Sequence, residues 1–127
     1  MQLTHHTDLA FRLLIHLAQR DGERCLIADV AKVQEVSRTH LMKVASKLAH
    51  AGLLDSTRGN GGGIRLAKAP HEINLGAVVE AMEPACPMVD CTGCKLISRC
   101  RLAGMLERGR RAFLAEVGGY TLADAAG

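Results

Sequence analysis

Cys91, Cys94 and Cys100 stand within ten residues of one another and Cys86 lies just upstream, giving the spacing C-x4-C-x2-C-x5-C. Thiolates crowded in this way are ligands of soft metal ions and iron–sulfur clusters. Structural zinc usually takes two separated C-x2-C knuckles or a histidine pair, whereas this segment has one C-x2-C followed by a wider gap. So short a loop suits a compact cluster held from one side. Spacing alone leaves three readings open: an iron–sulfur cluster, a zinc site, or free regulatory thiols. Cys25, beside Leu26 and Ile27, stands apart and reads as a small buried hydrophobe.

The rest of the chain must position that loop. Its 127 residues suit one domain plus an appended element. With 2% aromatic residues and no Trp, the core must be aliphatic, which favours helices, and a small helical protein often completes its core by dimerising. The start of the chain is polar and resembles no signal peptide, so its five cysteines point to a reducing cytoplasm, where clustered thiols serve as ligands rather than disulfides. No apolar run approaches the ~18 residues of a membrane span, so no membrane association is expected. No catalytic dyad or triad is apparent, and no βαβ pattern of a thiol oxidoreductase surrounds the C-x-x-C, so the chain is not expected to be an enzyme.

Leu9, Leu13, Leu14 and Leu17 recur at helical spacing and predict a helix over 4–20, with Thr4 or Thr7 as cap and Asp8 near its positive end. A short helix over 27–34 turns Val30 and Ala31 inward. Ser37 then caps a helix over 38–50, with Leu41, Val44, Ala45 and Leu48 on one face and Arg38, Thr39, His40, Lys43 and Lys47 on the other. Two strand-like runs, 53–57 and 64–67, flank a hairpin tip Arg58-Gly59-Asn60-Gly61-Gly62-Gly63. A helix follows over 74–82, and Pro84 and Pro87 bracket the start of the cysteine loop. A last helix over 101–117 carries the stripe Leu102, Met105, Leu106, Phe113, Leu114 and Val117. Gly104 and Gly109 weaken it, so packing must hold it. The tail beyond Gly118 is expected to be loosely ordered.

Helix, turn, helix and glycine-tipped hairpin is the order of a winged helix-turn-helix. Its second helix enters the major groove with its N-terminal residues at base edges, which nominates Ser37, Arg38, Thr39, His40 and Lys43. At the wing, Arg58 and Arg65 can meet phosphates, and Gly59 and its neighbours lack side chains that would hold a backbone away. Net charge is only +3, but Asp55 is the one acid between Arg38 and Arg65. That local basic excess is what DNA phosphates need. A polar outer face on a helix is by itself commonly just solvated; the hairpin and the basic excess together favour DNA. The glycine tip is no Walker motif, since no Gly-Lys-Ser/Thr follows.

The chain resembles the NsrR/IscR family of winged-helix iron–sulfur transcription regulators. The likeness runs through the opening Met1-Gln2-Leu3-Thr4 with Asp8, Val36 to Leu41, the wing Arg58 to Leu66, Glu83-Pro84, the loop ending Cys100-Arg101-Leu102, and the closing Tyr120 to Asp124. Within the family it is most similar to the nitric-oxide-sensing repressors. The resemblance implies a homodimer paired through its long C-terminal helices. It implies a [4Fe–4S] cluster on Cys91, Cys94 and Cys100, with Asp8 of the second copy as fourth ligand. An acid in the first turn of a helix is also ordinary dipole compensation. The two-residue gap between Cys91 and Cys94 is shorter than the family's usual one, so Cys86 is a substitute for Cys91. Ala103 stands where the IscR branch has a histidine ligand, which argues against [2Fe–2S] ligation of that type.

The resulting expectation is a mainly α protein. It has a winged helix-turn-helix domain with a β-hairpin wing over 1–83, a cluster-binding cysteine loop over 84–100, and a dimerisation helix and tail over 101–127. Its expected function is transcriptional repression at a palindromic operator, relieved by nitric oxide. The alternatives are an iron-status or redox-responsive regulator of the same family, a zinc-stabilised DNA-binding protein and an iron–sulfur carrier.

Overall fold

The computed structural model describes residues 1–59 and 61–127; Asn60 of the expected hairpin tip lies outside them. The chain is mainly helical. In order come α1 (His5–Ala18), α2 (Ile27–Val33), α3 (Arg38–His50), strands β1 (Leu54–Thr57) and β2 (Gly63–Leu66), a 3-10 turn (Pro70–Glu72), α4 (Leu75–Met82), α5 (Leu102–Val117) and α6 (Leu122–Ala126).

Helix α1 is the centre of the core. Its leucines Leu9, Leu13, Leu14 and Leu17 are buried against Leu41, Val44 and Leu48 of α3 and Val78 and Met82 of α4. Thr4 caps it, accepting from the Thr7 amide at 3.4 Å. The link from α2 to α3 is sharp because Glu35 adopts φ +53°, which lets Val36 and Glu35 donate back to the carbonyls of Ala31 and Lys32. This is a Schellman closure with a non-glycine residue at its left-handed position. Ser37 then caps α3, accepting from the His40 amide at 3.3 Å. The same closure ends α3: Gly52, at φ +78°, and Leu53 donate to Ala49 and Leu48.

The wing is an antiparallel pair in register Leu54↔Leu66 to Thr57↔Gly63. Cys25 adds a third edge, exchanging two 2.8 Å backbone bonds with Ile64. That contact explains one glycine: a Cβ on Gly63 would lie 2.7 Å from the Cys25 carbonyl oxygen, and φ there is +133°. Gly62 is crowded likewise, by the Thr57 carbonyl at 2.7 Å. Part of the glycine run is therefore required by the hairpin itself, whatever approaches its tip. Cys25 is half-buried and packs on the core, and burial is the main cause that pushes its thiol pKa up, as suits an inert residue.

The tail departs from expectation. Beyond Gly118 the chain is anchored, with Leu122 fully buried in the core. Thr121 and Asp124 form a capping box that starts α6. The Leu122 amide donates to Ile73 at 2.8 Å and the Leu75 amide to Tyr120 at 3.1 Å.

Helix α5 buries none of its 16 residues. Its half-buried apolar side chains, Leu106, Phe113, Leu114 and Val117, lie on the expected stripe, while Leu102 and Met105 are 51% and 53% exposed.

Candidate DNA-binding face and cysteine loop

Arg38, Thr39, His40 and Lys43 are all exposed on α3, opposite its buried face. Ser37 is exposed too, although its hydroxyl already serves the cap. Lys47 is engaged differently: its Nζ donates to the Met82 carbonyl at the end of α4, at 3.0 Å. At the wing, Arg58 and Gly59 are exposed. Arg65 is paired with Asp55 at 3.2 Å, and Asp55 also takes Arg24 at 2.8 Å. The Arg24 hydrogen bond, aided by both positive charges, holds the Asp55 carboxyl below the usual range. The one acid of the basic stretch thus occupies Arg65, and a cation from outside that stretch joins it.

Two juxtapositions were not foreseeable from local patterns. The first brings the start of α1 to the start of α3: the His40 ring lies 6.0 Å from that of His5, edge-on, and 6.2 Å from that of His6. The second is at Glu83, immediately after α4. Its Oε1 accepts from the Thr7 hydroxyl at 2.6 Å, the Thr4 amide at 2.7 Å and the Thr4 hydroxyl at 3.0 Å. The residue pair Met82–Glu83 therefore holds both α3, through Lys47, and the first turn of α1.

Burial pushes the Glu83 carboxyl up, but the donors Thr7 and Thr4, with the Lys47 charge, outweigh it and leave it below its ordinary value. A depressed carboxylate stabilises the fold above its unfolded pKa, about 4.3, and that contribution is lost as pH falls through the folded value. Glu83→Gln keeps the shape and removes the charge. It is expected to cost about 1 kcal/mol at pH 6, and the gap from wild type should close towards pH 3. Urea unfolding at both pH values checks this, and a gap that stays constant would show that charge is not the cause.

The cysteine loop starts at the next residue, Pro84. From 84 to 101 no residue is buried. Cys91 and Cys94 are half-buried, Cys86 and Cys100 exposed, and all are free thiols. The C-x2-C segment closes as a turn, with the Cys94 amide donating to Cys91 at 3.2 Å and Gly93 at φ +69°. Asp90 braces it by accepting from the Thr92 amide at 2.8 Å, the main cause that lowers its carboxyl pKa. A single helical turn follows, with the Cys100 amide donating to Leu96 at 3.0 Å. Among the described residues no three His, Cys, Asp or Glu side chains gather closely enough for one metal ion. The donor set itself fits a soft metal or an iron–sulfur cluster: free thiols on a surface loop that no core packing holds open. Asp8 projects from the first turn of α1, next to Thr7, in a 3.0 Å ion pair with Arg12. Both partners are about half exposed, so this pair opposes release of the carboxylate only weakly.

Two helices joined by a sharp turn, the second with an open basic face, and a hairpin wing behind them define a winged-helix DNA-binding transcription regulator. The chain belongs to the Rrf2 family, described as iron-dependent transcriptional regulators, whose model matches residues 3–127. It is 42% identical over 130 residues to the HTH-type transcriptional regulator NsrR of Halalkalibacterium halodurans, covering 98% of this chain and 89% of that protein. Among solved structures, the fold is similar to CymR, the global cysteine regulator of B. subtilis, with TM-score 0.74 and 26% identity over 99% of this chain and 96% of that one. It also matches T. potens IscR in fold, with TM-score 0.76 and 22% identity over 98% and 85% of the two chains. The family's role is regulatory, not enzymatic. No helix among the described residues is long and apolar enough to cross a membrane.

Proposed function

We propose that this regulator is a homodimeric repressor that senses nitric oxide through an iron–sulfur cluster on Cys91, Cys94 and Cys100, with Asp8 of the second copy as fourth ligand. The observation that carries this reading is the position of the thiols. Their loop begins where α4 ends, and that end is bonded to the helix that carries Asp8 and to the recognition helix. The identity to a protein named NsrR supports it further. The exposed apolar side of α5 supports pairing with a second copy. A [4Fe–4S] cluster is favoured over [2Fe–2S] because position 103 is Ala.

Such a cluster, held by Cys91, Cys94, Cys100 and Asp8, would supply iron open to a small molecule. The chain does the rest. With its loop closed and Asp8 engaged, the dimer holds two copies of α3 about 34 Å apart on a palindrome. Ser37, Arg38, Thr39, His40 and Lys43 face base edges, and Arg58, Gly59 and Arg65 meet the backbone. When the loop opens, the pull reaches Met82 and Glu83. Their hold on Lys47, Thr4 and Thr7 shifts α3 against α1, and DNA affinity falls. The signal acts only because the two arrangements bind DNA with different affinities.

The family description, iron-dependent, favours a second reading in which iron supply itself is the signal. Anaerobic purification with iron, sulfide and zinc analysis, followed by nitric oxide titration, tests both. About four irons and four sulfides per chain, with a visible band and DNA binding both lost to nitric oxide, is the expected result. DNA release on iron chelation but not on nitric oxide would favour the second reading. Stoichiometric zinc without sulfide would overturn both.

A further inference from the structure

We infer that Met42 reads the 5-methyl group of a thymine in the major groove. The inference rests on the DNA-binding reading of α3 and adds a sequence-selective contact to it. Met42 is 49% exposed, in the N-terminal half of α3, the part of a recognition helix that meets base edges. It stands one turn after Arg38 and one turn before Ser46, so the three share a side of the helix away from the buried Leu41, Val44 and Leu48. Arg38, Met42 and Ser46 line a groove that Arg58 and Gly59 of the wing and Leu26 line as well. Leu26 is itself 54% exposed.

A scattered exposed apolar residue is ordinary. Here two of them, Met42 and Leu26, line one groove together with two arginines, Arg38 and Arg58. Apolar and cationic residues sharing one groove fit a polyanion that presents an apolar group. DNA does so in the major groove, where the thymine methyl is the apolar mark of a base pair. The flexible thioether of methionine is long enough to follow that methyl, and it has no donor with which to prefer another base.

The test uses the full chain, iron-loaded and metal-free, to select duplexes from a random pool. Each thymine of the selected site is then replaced singly by uracil, which removes only the methyl. At one position per half-site, affinity is expected to fall about fourfold, the worth of one buried methyl-sized group. Met42→Ala should bind thymine and uracil duplexes equally, with an unchanged salt slope, since Met42 touches no phosphate. Met42→Gln, which keeps the length, should also lose the discrimination. Indifference of the wild type to uracil at every position would overturn the inference, as would discrimination that survives in both variants. A pool that yields no duplex would overturn the DNA-binding reading and this inference with it.

Discussion

Cys94→Ala is expected to abolish bound iron and sulfide completely while leaving the fold in place. Cys94 is the central thiol, shared by the C-x2-C turn on one side and the helical turn to Cys100 on the other. Either choice of first ligand, Cys91 or Cys86, needs it. The fold has little stake in its side chain: no residue from 84 to 101 is buried, and the bond that closes the turn is backbone to backbone. Substitutions of this kind usually change stability by no more than about 0.5 kcal/mol. A structural zinc site behaves in the opposite way, because its metal supplies folding energy outright. Metal analysis paired with thermal unfolding therefore separates the two. Loss of metal with an unchanged unfolding temperature supports a sensor loop. Loss of metal together with loss of folding would make the site structural. Cys91→Ala is expected to match Cys94→Ala, and Cys86→Ala to retain its iron; the reverse pattern would move the first ligand to Cys86.

How far the molecule could be read in advance depended on how local each signal was. The leucines of α1, the Ser37 cap and Gly52 act within a few residues, and they place α1 and α3 to within a residue or two. The wing was legible because glycines between two short apolar runs have few other uses. The roles of charged residues were not. Lys47 lies on the outer half of α3 by periodicity, yet its ammonium reaches a carbonyl 35 residues away. Arg65 counts towards the basic excess, yet it is paired with Asp55, which Arg24 shares. Glu83 joins threonines 76 and 79 residues distant. Such pairings follow from which helices pack together, and a hydrophobic period fixes the face of a helix but not its neighbour. For the cysteine loop, the sequence supplied the ligand types and the structure their exposure and backbone turns.

Leu122→Ala is expected to destabilise the protein by about 2–5 kcal/mol, the range for truncating a fully buried leucine. The expectation of a loose tail would predict almost nothing. Leu122 has no exposed surface and lies in the same core cluster as Leu13, Leu14 and Ile73. Its amide is bonded to Ile73, while Gln19 at the end of α1 donates to the Ala126 carbonyl at 3.1 Å. The neighbouring bonds from Leu75 to Tyr120 and from the Asn74 side chain to Gly118, the latter at 2.6 Å, tie the start of α4 to the same segment. Loss of the leucine thus leaves a cavity and loosens the seat of α4, so the cost should lie towards the upper end of the range. Thr121→Ala removes only the cap and should cost about 1 kcal/mol. Urea unfolding, read as a shift in midpoint at constant slope, measures both. A change below about 0.5 kcal/mol for Leu122→Ala would mean that α6 is a surface appendage. The signal for its docking was in the sequence: Thr121 and Asp124 are spaced as a helix start, and Leu122 is the apolar residue such a start presents to a core. Four or five residues are too few for a period to emerge, so a cap was the only mark this helix could leave.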